Sequence, residues 1–213
     1  MTRPPHSLPP AYFESLYDAD PDPWRFATSP YEAAKYAATL GALGPRYDHA
    51  LEVGCAIGVL TERLAPRCGR LLALDVAEKA LAAARARCAA LLGVTFRRAR
   101  FPAEAPPGPF DLILLSEVVY YWSPADIEAA AAAIEAALRP GGDLLLVHWI
   151  RETDYPLSGD EATRRLRQAL GGAVRAVAEA RTDSYRLDLW RRTGAPPTRG
   201  SARRASKGPV RPS

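Results

Sequence analysis

The chain has 213 residues, 48 % apolar and 24 % charged, the balance of one globular domain with a full core and no room for a second large one. Its formal charge of +4 is unevenly placed: Arg199, Arg203, Arg204, Lys207 and Arg211 fall in Gly194–Ser213, which holds no acid, and taking those five from the net leaves −1 for the rest, so the body implies no nucleic-acid partner. Cys55, Cys68 and Cys88 lack paired metal spacing and read as reduced thiols of a cytoplasmic protein without a metal, and the longest apolar runs, such as Leu144–Val147, are strand-sized, which excludes a membrane span.

Met1–Pro10 is proline-rich without an apolar signal core and is expected to be a flexible leader. Helices are expected around Ala11–Ala19 and Tyr31–Leu43, separated by the helix-stopping run Asp20-Pro-Asp-Pro23 and an aromatic connector with Trp24 and Phe26. From Ala50 the pattern alternates. Strands are expected at Ala50–Val53, Arg70–Asp75, Val94–Arg98, Phe110–Leu115 and Asp143–Trp149. Helices are expected at Val59–Leu64, Ala77–Leu92, Ala125–Leu138, ended by Pro140-Gly-Gly, and Gly159–Leu170. Two last strands, Arg175–Arg181 and Ser184–Arg192, flank the short turn Thr182-Asp183 and can pair antiparallel. This is an α/β chain: a doubly wound, mostly parallel seven-stranded sheet with an antiparallel C-terminal strand, covered by helices on both faces. The folded domain is expected over 11–193, with 194–213 a disordered, solubilising basic tail.

Leu51-Glu-Val-Gly-Cys-Ala-Ile-Gly58 sits where a strand becomes a helix. Gly54 can take backbone angles that a side chain forbids, Gly58 lets a ligand or the facing strand approach the helix start closely, and the loop can present N–H groups to a nucleoside at the carboxyl end of its strand. Asp75 ends the next strand, where a carboxylate can accept both ribose hydroxyls. Glu52, two residues before Gly54, suits the ammonium of an amino-acid moiety and would repel a diphosphate; this favours S-adenosylmethionine (SAM), which carries no phosphate, over a dinucleotide.

Glu52-Val-Gly-Cys-Ala-Ile-Gly58 resembles the first motif of Rossmann-like class I methyltransferases, and Asp75 their ribose-binding acid. Ala56 departs from the pattern, since many members have glycine there. Phe110-Asp-Leu-Ile-Leu-Leu-Ser-Glu117 resembles their fourth-strand motif, and Leu138-Arg-Pro-Gly-Gly142 the turn before strand five. Many relatives place an acid after strand three for the adenine amino group. Here Ala99-Arg-Phe101 stands instead, and a backbone contact with Phe101 packing on the base would serve. A narrower resemblance lies in Asp22-Pro-Trp-Arg-Phe26, Ser29-Pro-Tyr-Glu-Ala-Ala-Lys-Tyr36, Ser116-Glu-Val-Val-Tyr-Tyr-Trp122, His148-Trp149 and Asp154-Tyr-Pro-Leu-Ser-Gly-Asp160. With these the chain, from about Tyr12 to Arg192, resembles the nodulation protein S (NodS)-like methyltransferases, whose founding members N-methylate the free amino sugar at the end of a chito-oligosaccharide.

The resemblance implies that 11–46 form a helical lid over the SAM pocket, with Trp24, Tyr31, Lys35 and Tyr36 lining or closing it. Tyr31 and Lys35, four apart on one helical face, would point into the cleft together, with Lys35 meeting the SAM carboxylate. It extends the cofactor set to Cys55, Ala56, Val76, Arg100, Phe101 and Ser116 beside Glu52, Gly54, Gly58 and Asp75. The acceptor implied is an amine of a small molecule or oligosaccharide, the product S-adenosylhomocysteine (SAH). An amine must be neutral to attack, so a base is expected: Glu117 past strand four or His148 at the end of strand five. Tyr120 and Tyr121 would orient the acceptor or meet its developing cation, and Tyr155, Ser158 and Asp160 offer polar groups on the acceptor side. Alternatives are O-methylation of a small molecule, a non-catalytic SAM-binding module, and an NAD(P) oxidoreductase, although the chain lacks Gly-x-Gly-x-x-Gly spacing.

Overall fold

The computed structural model describes residues 3–194. Seven strands form one sheet in the order β3-β2-β1-β4-β5-β7-β6. The strands are β1 (Tyr47–Val53), β2 (Cys68–Asp75), β3 (Val94–Arg98), β4 (Phe110–Ser116), β5 (Leu138–Trp149), β6 (Val174–Arg181) and β7 (Tyr185–Arg192). β1 to β5 pair in parallel, and β7 runs antiparallel between β5 and β6. The helices are α1 (Pro10–Ala19), α2 (Pro30–Ala42), α3 (Val59–Leu64), α4 (Glu78–Arg87), α5 (Pro124–Ala137) and α6 (Gly159–Leu170). Ser29, Ser123 and Ser158 cap α2, α5 and α6 by accepting the N–H three residues on, and Pro30 and Pro124 occupy the first helical turn, where no donor is lost.

The sheet is covered on both faces. Ile127, Ile134, Leu166 and Leu170 of α5 and α6 pack on Ile113, Leu115, Leu144 and Leu146. Tyr36, Leu60, Leu64 and Ala80 of α2, α3 and α4 pack on Leu112, Leu114, Leu145 and Val147. β4 is accordingly apolar on both faces, with Phe110 and Leu112–Leu115 fully buried.

Differences from the sequence reading sit at the ends of elements. β1 begins at Tyr47, three residues early, because the buried Asp111 carboxylate accepts the N–H groups of Asp48 (2.7 Å) and His49 (2.9 Å) and holds this polar stretch on the sheet. α4 stops at Arg87; the remaining alanine-rich residues form turns, and Leu92 is fully exposed. β5 starts at Leu138 rather than after Pro140-Gly-Gly: Phe110 pairs with Leu138 and Leu112 with Asp143, and the extra residues form an irregularity between them. Where composition suggests a flexible leader, Leu8 N–H donates to Tyr121 O (2.9 Å), Arg3 to Tyr155 O (2.6 Å), and Ser123 N–H to Ser7 Oγ (2.6 Å). The basic residues from Arg199 onward lie outside the described residues.

Candidate active site

The strand order reverses between β1 and β4, and loops leaving the carboxyl ends of such neighbours diverge to leave a crevice. A cavity of about 420 Å³ lies there, within the range of small-molecule sites. Its floor comes from the ends of β1, β2 and β4, and its wall from α2, the connector before it, and the segment after β4.

The floor is backbone-built. Gly54 and Cys55 both donate to Leu74 O (2.8 and 2.9 Å), which binds the loop to β2. Gly54, Ala56 and Gly58 all take positive φ (78°, 49° and 80°), so the chain turns sharply from β1 into α3. A Cβ at Gly54 would lie 2.3 Å from Val118 Cγ1. Asp75 Oδ2 accepts Ala56 N–H (2.8 Å) and Oδ1 accepts Ala77 N–H (2.9 Å), each oxygen keeping acceptor capacity. Burial raises the Asp75 pKa, outweighing those donors. Glu52, 1 % exposed, takes Thr61 Oγ1–H at 2.7 Å; burial pushes it up to about 7 against the pull of that bond.

The wall is built from side chains distant in sequence. Lys35 Nζ lies 3.0 Å from Glu32 Oε1 and 2.5 Å from Glu117 Oε1; Lys35 and Glu32 are buried and Glu117 is partly so. Burial disfavours the ammonium, but the Glu117 and Glu32 carboxylates prevail and raise its pKa. Glu117, itself at φ 59°, also accepts Tyr120 O–H (2.6 Å) and Trp149 N–H (2.8 Å) on Oε2. Burial would raise Glu117, yet Lys35, His148 and these donors hold it below the usual carboxylate range. Glu32 moves the other way, raised by burial in spite of Lys35 and the Tyr36 hydroxyl that approaches it, and its Oε2 has no partner in good hydrogen-bond geometry; nor has the Tyr31 hydroxyl. Tyr31 packs edge-on to Trp149 and Tyr185, 5.3 Å below Lys35 Nζ.

Of the residues singled out from sequence, Trp24, Tyr31, Lys35, Tyr36, Glu52, Gly54, Cys55, Ala56, Asp75, Val76, Arg100, Phe101, Ser116, Glu117, Tyr120, Tyr121 and Tyr155 line this one cavity. Trp24 stacks on Phe26, Phe101 lies against Trp122, and Tyr155 stacks on Tyr120 and meets Tyr121 edge-on.

Four residues stand apart from the cavity lining. At Gly58 the element that approaches is a helix and not the expected strand: α4 crosses it, and a Cβ there would lie 2.9 Å from Ala84 Cα. His148 is fully buried on the opposite face of β5 from Trp149, beneath Gly159 of α6. Its Nε2 accepts Val119 N–H (3.2 Å), and burial lowers its pKa to about 4, so it is a structural acceptor and not the expected base. Asp160 faces away, held by Arg181 (2.6 Å) and Arg186 (2.8 Å), with Arg181 foremost in lowering it to about 2; Ser158 is spent as the α6 cap. Glu117 does line the cavity, but its committed oxygens and lowered pKa make it an anchor for Lys35 and a weak general base. Glu32, Phe13, Tyr17 and Trp122 line it without having been singled out. The Glu32/Lys35 spacing was the one available signal for Glu32, and the same spacing is usual on solvated helix faces.

Seven charged residues line the cavity: Glu32, Glu52, Asp75, Glu117 and Asp126 against Lys35 and Arg100. Such a lining repels a diphosphate and favours a ligand bearing cationic groups.

The family model for nodulation protein S (NodS) matches residues 13–152. Nodulation protein S of Rhizobium tropici is 37 % identical over 128 residues, covering 58 % of this chain and 53 % of that protein. The chain's matches span 53–61 % of the length of the curated nodulation S proteins. A solved structure from Pseudomonas syringae, described as a methyltransferase, is 36 % identical with a TM-score of 0.67, covering 76 % of this chain and 99 % of that one. The N-methyltransferase NodS of Bradyrhizobium japonicum in complex with SAH shares the fold, at TM-score 0.71 and 24 % identity over 86 % of this chain and 98 % of that one.

Proposed function

The chain belongs to the nodulation protein S family, and from that premise we propose that it is a SAM-dependent methyltransferase acting on an amine, such as the amino sugar of an oligosaccharide or a small-molecule amine. The observation that carries this reading is one cavity, lined by five carboxylates and two basic groups, into which the strand-end acids Glu52 and Asp75 both open. SAM, a phosphate-free nucleoside with an ammonium and a sulfonium, matches that lining and supplies an activated methyl group.

The chain's own residues have the remaining tasks. Asp75 accepts the ribose hydroxyls with the capacity its backbone bonds leave over. Glu52 receives the α-ammonium. Lys35 has committed two of its three N–H donors to Glu32 and Glu117, and the third is available to a carboxylate. Val76 and Phe101 flank the base, while Trp24, Phe26 and Tyr17 exclude water. Tyr121 and Tyr155 offer ring faces to a cationic acceptor. Since the methyl group is already activated, aligning acceptor nitrogen with it is the main task, worth ~7–11 kcal/mol in well-oriented reactions.

Calorimetry tests this directly. The protein should bind SAH and give no heat with NADH, and Asp75→Ala should weaken SAH at least tenfold. Methyl transfer from radiolabelled SAM should then appear with an amino-sugar acceptor and be absent with its N-acetylated form. Binding of NADH without SAH would end the reading.

A further inference from the structure

Among the described residues, two residues of the cavity lining each carry a buried side-chain atom without a hydrogen-bond partner: Glu32 Oε2 and the Tyr31 hydroxyl. An unmet acceptor of this kind is unfavourable unless a ligand satisfies it. They are neighbours at the start of α2 and flank Lys35. With Glu117 and Glu32 both ionised around one ammonium, this wall carries a net charge of −1 and calls for one further cation.

Resting on the methyltransferase reading, we propose that Glu32 Oε2 is the subsite that receives the acceptor's ammonium and takes its proton, with the Tyr31 hydroxyl a second unpartnered group of the same wall. The other carboxylates are otherwise engaged. Glu117 has three donors, Asp75 holds two backbone N–H groups, Glu52 belongs to the glycine loop, bound to Thr61, and Asp126 accepts the Ser7 hydroxyl and pairs with Arg100. The proton passes from the acceptor's N–H bond to Glu32 Oε2. The freed lone pair forms the N–C bond as the C–S bond breaks and its electron pair goes to sulfur, giving methylated ammonium and SAH. Burial supports the step, because it makes Glu32 a stronger base than an ordinary carboxylate while Glu117 is a weaker one. The groups facing Glu32 are Lys35 and Tyr36 on its own helix and Glu117 after β4; Arg63 of α3 lies over the Tyr36 ring, and Glu52 of β1 bears on Tyr36.

The test uses SAH-loaded full-length protein, with glucosamine and N-acetylglucosamine as probes in calorimetry at pH 6.5. Wild type should prefer glucosamine at least tenfold, and the heat should be independent of the buffer's ionisation enthalpy, because the proton passes from the amine to Glu32 and does not leave the complex. Glu32→Gln should abolish the preference while binding SAH within threefold of wild type; Glu52→Gln should do the reverse. Tyr31→Phe should weaken glucosamine about threefold, and if Glu32→Gln does not fold, this variant and the wild-type heats in two buffers decide the matter, a buffer-dependent heat counting against proton transfer to Glu32. The proposal is overturned if wild type shows no preference, if Glu32→Gln keeps it, or if that variant loses SAH more than tenfold, which would place Glu32 on the cofactor. Failure of wild type to bind SAH at all, with the glucosamine preference retained, would instead sink the methyltransferase reading.

Discussion

The floor and the wall of the cavity are made by different means. The floor is main chain: three consecutive alternate residues at positive φ, two N–H groups on Leu74 O, and two more on Asp75, all within Glu52–Ala77. The wall is a buried charge cluster whose members, Lys35 and Glu117, are 82 residues apart. A floor of this type depends on what small residues permit. A wall of this type depends on every partner being present, because removing one leaves an uncompensated buried charge. The two regions should therefore fail differently, the floor losing ligand and the wall losing the fold.

The largest effect should come from breaking the wall. Lys35→Met leaves Glu32 and Glu117 facing each other in a buried site, and the expected destabilisation is about 3–5 kcal/mol. In a chain of this size that is a drop in Tm of roughly 10 °C, read in a thermal melt. Adding Glu32→Gln and Glu117→Gln to Lys35→Met should restore most of it. A lone Lys35→Met variant as stable as wild type would mean that water, and not ion pairing, already sustains the wall.

The next effect sharpens the comparison by pH. Glu52 is raised to about 7 when folded, against 4.5 for the free side chain. The folded chain then keeps a proton that the unfolded chain gives up. The stability linked to Glu52 is present below pH 4.5 and is lost as pH rises through about 7, by about 3 kcal/mol in all. Denaturant melts of wild type and Glu52→Gln from pH 5 to 8 should show it as a difference in slope, the variant being the flatter. SAH should respond oppositely: if its ammonium meets ionised Glu52, its affinity rises about tenfold from pH 6 to 8 in wild type and stays level in Glu52→Gln.

This division also decides what could be read from sequence. The bounds of α3 and α6 were legible because Gly58 and Ser158 mark their starts, and Glu52, Gly54 and Asp75 because a strand-to-glycine-loop turn is written in adjacent residues. Glu32 was not, because its burial arises only when α2 lies against Glu117 from another layer. His148 was misplaced by one step of strand parity: Trp149 lines the cavity, so its neighbour faces α6, and only the register on β4 and β7 fixes which is which. The early starts of β1 and β5 depend on Asp111 and on the Phe110–Leu138 pairing, both of them contacts across the sheet.

Breaking the floor should be gentler on the fold and harsher on the ligand. Gly54→Ala sets a side chain at φ 78° and drives it against Val118, at a cost of about 2 kcal/mol, and the loop must shift to relieve it. SAH affinity should fall at least a hundredfold in calorimetry while the protein still melts cooperatively. Equal loss of fold and ligand would erase the distinction between the two regions.

The smallest effect runs in the opposite direction. Ala56 holds φ 49° in a loop where its neighbours at positive φ are glycines, and an L-residue there costs about 1–2 kcal/mol relative to glycine. The Cβ is tolerated because the Ala56 N–H is fixed on Asp75 Oδ2 at 2.8 Å, which over-determines the turn. Ala56→Gly removes the strain but gives the unfolded chain more freedom, so the net gain should be no more than about 1 kcal/mol, a Tm increase of roughly 2–4 °C. The gain should also be larger with SAH bound, because the ligand holds the loop whose flexibility the glycine adds. A variant that melts lower than wild type both with and without SAH would mean that Ala56 contributes packing through its methyl group, and that the floor is not set by backbone geometry alone.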